Sequence, residues 1–162
     1  SWISILETSF LITLVRPHYA NLGKRLTKSA KLHFIDSGLV CYLLGIESAR
    51  QLVTHPLRGA IFESWAVTEL LKQRYHTAKS NNQFYFRENN GQEIDLILDH
   101  GATVEAIEIK SGKTYAPDFF KNITKYREQT PSCRNGTVVY GGDRSQKVQK
   151  NRLLSYRELG TF

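Results

Sequence analysis

Hydrophobic and polar positions along the chain predict alternating helices and strands. The strongest helical pattern, "PLRGAIFESWAVTELLKQRY", has apolar residues at 61, 62, 65, 66, 70 and 71, and this spacing predicts a helix over 57–75. "PDFFKNITKYREQ" predicts a second amphipathic helix with Pro117 near its start. Between these helices, "QFYFRE", 93–99 and 103–110 have the composition of strands, and "GTVVYGG" and "LLSYREL" predict two more after the second helix.

The N-terminal region combines a helical pattern with two strand patterns and a basic loop. "SWISILETSF" is followed by "LITLV", the loop "RPHYANLGKRLTKSA" and "KLHFI". This order resembles the back half of a winged helix, with basic side chains available to contact phosphates: Arg16, Lys24, Arg25, Lys28 and Lys31. A connector hairpin that packs on a neighbouring domain is the alternative. We therefore divide the chain into 1–35, the end of a winged-helix region or a connector, and 36–162, the main domain.

The two strands at 93–99 and 103–110 are apolar on both faces. Strict alternation places Ile94, Leu96 and Leu98 on one face and Ile97 on the other. Such strands are typical of sheets that helices cover on both sides. With the short helix expected in "DSGLVCYLLGI", the order of elements predicts an α/β fold, an α/β/α sandwich with a mixed central sheet.

Charged residues interrupt these apolar strands at Asp95, Glu108 and Lys110. If the turn near His100 has an even number of residues, Asp95 lies opposite position 106 or 108, on the same face as Glu108 and Lys110. An odd number would place it on the other face. Two adjacent buried carboxylates repel each other unless a cation lies between them. Mg²⁺ or Mn²⁺, which prefer oxygen ligands, would meet that need, with the Ile109 carbonyl as a further ligand.

A third carboxylate on the long helix is expected to join this pair. Glu63 shares a helix face with Val67 and Leu70, whereas its rival Glu69 shares a face with Phe62 and Ala66. The simpler alternative for the whole pattern is a Lys110–Glu108 ion pair with exposed strand ends.

Taken together, the stretches "GAIFESWAVTEL", "EIDLIL" and "IEIKSG" resemble the PD-(D/E)XK nuclease superfamily. With "KLHFIDSGLVCYLLGI", "FYFRENNGQEIDLIL" and "IEIKSGKT", the chain is more closely similar to the nuclease-like C-terminal domain, of undefined function, in many bacterial and archaeal AAA-type ATPases. The resemblance covers about residues 30–160 and implies a restriction-endonuclease-like fold. It also implies that the chain is a piece of a longer protein whose ATPase precedes it.

The resemblance implies metal-dependent hydrolysis of DNA phosphodiester bonds, with a role for each matching residue. Asp95 and Glu108 would hold the metal ion, Lys110 would orient or activate the attacking water, and Glu63 would be an accessory ligand through water. Basic side chains expected around the site would contact DNA phosphates or, alternatively, be solvated surface groups: Arg87, Lys113, Lys121 and Lys125. The expected partners are DNA and the protein's own ATPase domain, with homo-oligomers possible through that ATPase.

Composition narrows the class of protein further. The net charge is +7, with the acidic residues concentrated in the centre of the chain and basic residues towards both ends, which suits a cation site beside a polyanion-binding surface. Cys41 and Cys133 lie far apart, without the spacing of a zinc site or a disulfide framework. Cysteines of this kind fit a reducing, cytoplasmic setting. No apolar run is long enough for a membrane span. "SGKT" at 111–114 resembles a nucleotide-binding loop, but Ile107 stands where that motif needs Gly, and no nucleotide site is expected.

Two other functions remain open at this point. One is a catalytically inactive module that binds DNA or a partner protein and serves the ATPase. The other is an oligomerisation or protein-recognition domain. Divalent-metal binding and salt-dependent DNA affinity distinguish these functions from a nuclease.

Overall fold

The computed structural model describes residues 1–18, 29–88 and 91–162. Five α-helices are present in these ranges: α1 (Trp2–Thr8), α2 (Ser37–Leu43), α3 (Ala49–Thr54), α4 (Arg58–His76) and α5 (Lys121–Gln129). The strands are β1 (Ile12–Pro17), β2 (Lys31–Phe34), β3 (Gln83–Arg87), β4 (Glu93–Asp99), β5 (Val104–Lys110), β6 (Cys133–Tyr140), β7 (Gln146–Val148) and β8 (Asn151–Ser155). Two short 3₁₀ helices, Pro117–Phe120 and Tyr156–Thr161, complete the fold.

The strands form one mixed sheet in the order β2-β1-β3-β4-β5-β6-β8-β7. The three central strands β3, β4 and β5 are antiparallel neighbours, whereas β5–β6 and β6–β8 are parallel pairs. The crossover from β5 to β6 passes through α5, as parallel neighbours require.

Helices cover both faces of this sheet. Alternate strand residues enter two separate apolar clusters: Ile107 and Val139 pack with Val67 of α4, while Ala106 and Val138 pack with Ile123 of α5. This alternation follows from the period of two along a strand, and it confirms the α/β class with a mixed sheet.

One predicted face assignment is wrong. Ile94 packs in the α5 cluster beside Ile97, while Leu96 and Leu98 pack in the α4 cluster. The cause is a register shift between β3 and β4: Phe84 pairs with Ile97, but Phe86 pairs with Ile94, so β4 contains one extra residue there. A bulge of this kind reverses the alternation and re-aims the side chains around it, and here that segment contains Asp95.

The helix and strand predictions otherwise agree with the structure, with small changes of boundary. Asp36 is the N-cap of α2, where its carboxylate accepts hydrogen bonds from the backbone N–H groups of Gly38 and Leu39. The second amphipathic segment begins at Pro117 as a 3₁₀ helix and becomes α-helical at Lys121.

The N-terminal segment adds a hairpin to the same sheet. β1 pairs antiparallel with β2 and parallel with β3, so both strands continue the sheet at one edge. Arg16 lies on β1 and is exposed, and Lys31 begins β2. The other expected phosphate contacts of this loop, Lys24, Arg25 and Lys28, lie outside the described residues. Within the described part of the chain, no helix combines the length and apolar character that crossing a membrane requires.

Candidate active site

The hairpin between β4 and β5 sets the relation of the two strand carboxylates. Its ladder pairs Asp99 with Val104 and Leu96 with Ile107, with four residues in the loop. Gly101 adopts a φ of 82° in this turn, a left-handed conformation that glycine accepts without strain. Continuing the register by one residue places Asp95 opposite Glu108, as an even loop predicts.

Asp95 lies just beyond the end of this ladder, in the part of β4 that contains the bulge. Its Oδ2 atom accepts a hydrogen bond of 2.8 Å from the backbone N–H of Ile109. Burial raises the pKa of the Asp95 carboxyl, and the nearby negative charge of Glu63 raises it further. The backbone bond and the Lys110 ammonium act in the opposite direction but do not cancel these effects. Asp95 is therefore a carboxylate whose charge the protein itself only partly offsets.

The same hydrogen bond indicates the direction of the Ile109 carbonyl. In an extended strand, the N–H and C=O groups of one residue face the same neighbouring strand. Since the Ile109 N–H faces Asp95 on β4, the Ile109 carbonyl oxygen faces the same side. The next carbonyl, that of Lys110, faces β6, where it accepts a hydrogen bond from the Gly141 N–H. The Ile109 carbonyl, the expected third oxygen ligand, thus lies on the side of β5 that faces β4 and Asp95.

Glu108 is the most deeply buried acidic group of the site, with 2% of the residue exposed. Its Oε2 atom lies 2.5 Å from Lys110 Nζ, and its Oε1 atom accepts a longer hydrogen bond of 3.4 Å from Asn122 on α5. Burial, followed by the charge of Asp95, raises the pKa of Glu108 to about 7 despite the Lys110 contact. One lysine is thus insufficient to balance two adjacent carboxylates.

A close approach between backbones holds the end of β5 in place. The Gly141 N–H donates to the carbonyls of both Lys110 and Gly112, each at 3.0 Å. A Cβ atom at position 141 would lie 2.5 Å from the Ser111 carbonyl oxygen, well inside van der Waals contact. Only glycine allows β6 to lie so close to the segment that carries Lys110.

The helix carboxylate at the site is Glu63. It lines an open cleft of about 440 Å³ together with Asp95, Glu93, Arg87 and Lys31. Its rival Glu69 instead forms a surface ion pair of 2.7 Å with Lys72, three residues further along α4. Val67 and Leu70, which share the face of Glu63, are buried, so this face points inward as its pattern predicts.

The sequence reasoning missed a second group of charges at this cleft. Lys31 Nζ lies 3.1 Å from Glu63 Oε1 and 2.7 Å from Glu93 Oε1, and Arg87 lies 2.6 Å from the other oxygen of Glu93. Burial opposes ionisation of Glu93, but hydrogen bonds from Lys31 and Arg87 lower its pKa overall. The position of Glu93 just before the apolar run of β4 could have indicated its role, whereas no local signal links Lys31 to residues so distant in sequence.

Beside this group lies a buried polar pair. His33 Nδ1 lies 3.0 Å from the Ser64 hydroxyl oxygen, which joins β2 to α4 one residue from Glu63. Burial, and then the positive charge of Lys31, lower the pKa of His33 to about 4. His33 is therefore neutral at physiological pH and acts as a hydrogen-bonding contact between strand and helix.

The four basic residues expected to contact phosphates differ in their positions. Arg87 lines the cleft, where it is paired with Glu93. Lys113 is an exposed residue shortly after β5, and Lys121 and Lys125 are exposed on α5, one turn apart. Lys121 directly precedes Asn122, the residue of α5 that contacts Glu108, and is therefore near the site.

The described residues contain no group of three or more His, Cys, Asp or Glu side chains that could hold a metal ion. The oxygen groups near the start of β4 and the end of β5 are two carboxylates and one backbone carbonyl, those of Asp95, Glu108 and Ile109. Glu63, the fourth candidate, is engaged by Lys31.

Comparison with known proteins places this site inside a family without an assigned function. The family described as "Domain of unknown function (DUF4143)" matches residues 58–159, and another described as "Domain of unknown function (DUF8612)" matches residues 1–50. The first match includes α4 and the strands that carry Asp95, Glu108 and Lys110. The second includes β2 and therefore Lys31.

Two similar curated proteins come from mycobacteria. They are the uncharacterized protein Rv2008c of Mycobacterium tuberculosis and the uncharacterized protein Mb2031c of Mycobacterium bovis, each 29% identical over 142 residues. The match covers 88% of this chain but 31% of each relative, so the chain spans about a third of their length. No solved structure matches the chain.

Proposed function

Because the chain belongs to the DUF4143 family, whose function is unknown, we propose a function from the site itself: divalent-metal-dependent hydrolysis of phosphodiester bonds in DNA. In this proposal the fold is a restriction-endonuclease-like sandwich, as the resemblance to PD-(D/E)XK nucleases implies. The domain acts as the C-terminal part of a longer AAA-type ATP-binding protein, preceded by the end of a winged-helix region.

The observation that carries the proposal is the surplus of negative charge at the ends of β4 and β5. Continued one residue beyond the Leu96–Ile107 pair, the register of the hairpin places Asp95 beside Glu108, and Lys110 contacts Glu108 only. Both carboxyls have raised pKa values: burial and then the charge of Glu63 raise that of Asp95, and burial and then the charge of Asp95 raise that of Glu108. A bound divalent cation would remove that repulsion and return both groups to their charged forms.

The donor set fits a hard cation. Asp95 and Glu108 supply carboxylate oxygens, and the Ile109 carbonyl points from β5 towards β4, the strand that carries Asp95. Magnesium in proteins commonly keeps several waters and uses one or two carboxylates, so this set is sufficient without a third acidic ligand. When bound, the ion would polarise the phosphate and lower the pKa of a coordinated water.

The protein's own groups would position and stabilise the reacting atoms. Lys110 Nζ, held against Glu108, stands at the edge of the site, 36% exposed, where its N–H groups can orient the attacking water and stabilise developing charge on phosphate. Glu63 would accept a hydrogen bond from a coordinated water. Arg87, Lys113, Lys121 and Lys125 would contact flanking DNA phosphates.

Metal binding is the first test of this proposal. Titration of Mn²⁺ into the purified domain by calorimetry should show binding that Asp95→Ala and Glu108→Ala both abolish, since each removes a carboxylate ligand. Glu69→Ala is the matched control because Glu69 lies on the surface of α4 and pairs with Lys72. Wild-type protein that binds no Mn²⁺ would refute the catalytic proposal for this chain.

Cleavage of DNA is the second test. Linear and branched DNA should be hydrolysed with Mg²⁺ or Mn²⁺ present, and Lys110→Ala should lower the rate at least about a hundredfold because it removes a group that stabilises the transition state. Glu69→Ala should leave the rate unchanged. Metal binding without any cleavage would refute hydrolysis and leave the site as a metal-binding centre.

A second candidate function is a binding module without catalysis. The direct Lys110–Glu108 and Lys31–Glu63 contacts favour it, because they neutralise acidic groups with the protein's own cations. DNA affinity would then fall with salt concentration and need no divalent ion. Replacing Lys121 and Lys125 together by Ala should reduce the slope of log affinity against log salt by roughly two.

A third candidate is protein recognition by the N-terminal helices. None of α1, α2 and α3 contains a buried residue. Large apolar side chains on the first two are exposed, among them Trp2 at 82% and Tyr42 at 80%. Such exposure is typical of surfaces that contact another protein or domain.

A further inference from the structure

Lys31 occupies an unusual place for a residue of the N-terminal segment. Its side chain is 18% exposed, and its Nζ lies between carboxylate oxygens of Glu63 on α4 and Glu93 on β4. The same Nζ lies 5.3 Å from the centroid of the Tyr85 ring, which is buried beneath it. Contacts from three separate elements therefore hold the ammonium group at the cleft.

The partners of Lys31 are not equally dependent on it. Glu93 keeps a second cation, because Arg87 binds it through both Nε at 3.0 Å and a terminal nitrogen at 2.6 Å. For Glu63 the described contacts show Lys31 as the cation bound. Lys31 is thus the group that holds the Glu63 carboxylate away from other partners.

The charge of Lys31 also acts on the strand carboxylates. Asp95 lines the same cleft, and the positive charge of Lys31 favours its ionised form. The cleft and the adjoining Glu108–Lys110 pair together contain three cations, Lys31, Arg87 and Lys110, against four carboxylates, those of Glu63, Glu93, Asp95 and Glu108. Removing Lys31 would leave two cations, and the field would become more attractive to a divalent ion.

We propose that Lys31 is a positioning residue that competes with the divalent ion: by binding Glu63 it keeps this carboxylate from the metal and weakens metal binding. The inference rests on the metal site proposed above and goes further, because it assigns control of metal affinity to a residue outside the family match at 58–159.

The position of Lys31 makes this control dependent on the edge strand β2. β2 pairs with β1 at the end of the sheet and contacts α4 through Lys31–Glu63 and His33–Ser64. A rearrangement of the segment 1–35 that shifts β2 would withdraw Lys31 from Glu63. Metal affinity would then increase when β2 moves away from α4.

The test is Mn²⁺ titration of Lys31→Met, which keeps the length of the side chain but removes its charge. We expect its Kd to fall about tenfold relative to wild type, because a unit charge close to the ion is lost and Glu63 is released. Lys31→Arg should remain within about twofold, since it keeps the charge. Lys72→Met is the matched control, because it releases Glu69 on the same helix but away from the cleft.

A combined variant shows whether Lys31 acts through Glu63. In a Glu63→Gln background, Lys31→Met should tighten Mn²⁺ binding less than in the wild type, because the carboxylate it releases is absent. Thermal unfolding of every variant verifies the fold, and Lys31→Gln replaces Lys31→Met if the latter does not fold. A merely structural role cannot produce tighter binding.

The outcomes separate this inference from the proposed function. Unchanged or weaker binding by Lys31→Met, with a wild type that binds, overturns the role of Lys31 alone. Binding by Lys31→Met where the wild type shows none supports that role strongly. No binding by wild type, Lys31→Met or Lys31→Gln overturns both proposals.

Discussion

Two charged clusters, one lining the cleft and one beside it, are built from the same residue types but balanced differently. In the first, Lys31 and Arg87 share two carboxylates, Glu63 and Glu93, and Glu93 has a lowered pKa. In the second, Lys110 contacts Glu108, the charges of Lys110 and Lys31 only partly offset that of the adjacent Asp95, and both carboxyls have raised pKa values.

The difference teaches how a structural ion-pair network can be distinguished from a candidate cation site. Where each carboxylate has its own cation, attraction exceeds the cost of burial and the charged forms are favoured. Where carboxylates outnumber cations, burial and repulsion favour protonation, and an external cation gains the most by binding. In the second cluster carboxylates outnumber cations in this way. In our proposal, Lys31 of the first cluster weakens metal binding at the second.

The largest expected effect comes from breaking the second cluster at its lysine. Lys110→Met leaves Glu108 buried without its cation, so we expect the free energy of unfolding at pH 8 to fall by about 2–3 kcal/mol. Lys31→Met should lower it by less than about 1 kcal/mol, because Glu93 retains Arg87. Urea unfolding of both variants measures the difference, and equal losses would contradict the comparison.

The pH dependence of stability should come from the second cluster. The pKa of Glu108 in the folded protein, about 7, exceeds its ordinary value of 4.5, so the folded state binds more protons between these values. Stability contributed by this group is then full below about pH 4.5 and is lost as the pH rises to 7. The expected loss is on the order of 3 kcal/mol.

Glu108→Gln isolates this effect because Gln does not titrate. The free energy of unfolding of the variant, relative to wild type, should increase from pH 4.5 to pH 8 in metal-free buffer. Addition of Mn²⁺ at pH 8 should stabilise the wild type and not the variant. A difference that stays constant with pH would show that Glu108 is ionised throughout.

For Asp95→Asn we expect a change in the free energy of unfolding that is smaller than that of Lys110→Met and opposite in sign. The amide oxygen of Asn can still accept the Ile109 N–H bond, while the unbalanced charge disappears. The metal-free protein should therefore be more stable at pH 8 by about 1 kcal/mol, and Mn²⁺ binding should be lost. Chemical unfolding together with calorimetry tests both statements, and a clear loss of stability would show that the Asp95 charge supports the fold.

The smallest effect should come from the surface pair that neither cluster includes. Lys72→Met removes an exposed ion pair with Glu69, and such pairs contribute at most about 0.5 kcal/mol. Its thermal unfolding should therefore match that of the wild type closely. A larger change would mean that Glu69 has a role that its position on the surface of α4 does not indicate.

The sequence predicted the helices and strands that carry the site more completely than it predicted which charged side chains of the site pair with one another. Apolar spacing gave α4 its position to within a residue at each end. The sequence left open whether the loop between β4 and β5 is even or odd, and the structure, with four loop residues, decides for even. Strict alternation was wrong at Ile94, because a bulge depends on how β4 pairs with β3 and has no local signal. The pairing of Lys31 with Glu63 was also beyond reach, since it joins residues 32 positions apart in sequence.

By itself, the sequence determined most of the strands and helices, because hydrophobic period and turn chemistry act over a few residues. The short elements α3 and β7 were not predicted. It also determined that two carboxylates and a lysine would interrupt a buried hairpin. The tertiary structure alone decided which charges are neutralised. That balance depends on a strand from the N-terminal segment meeting the face of α4, and electrostatic energy depends on distance in space rather than on separation along the chain.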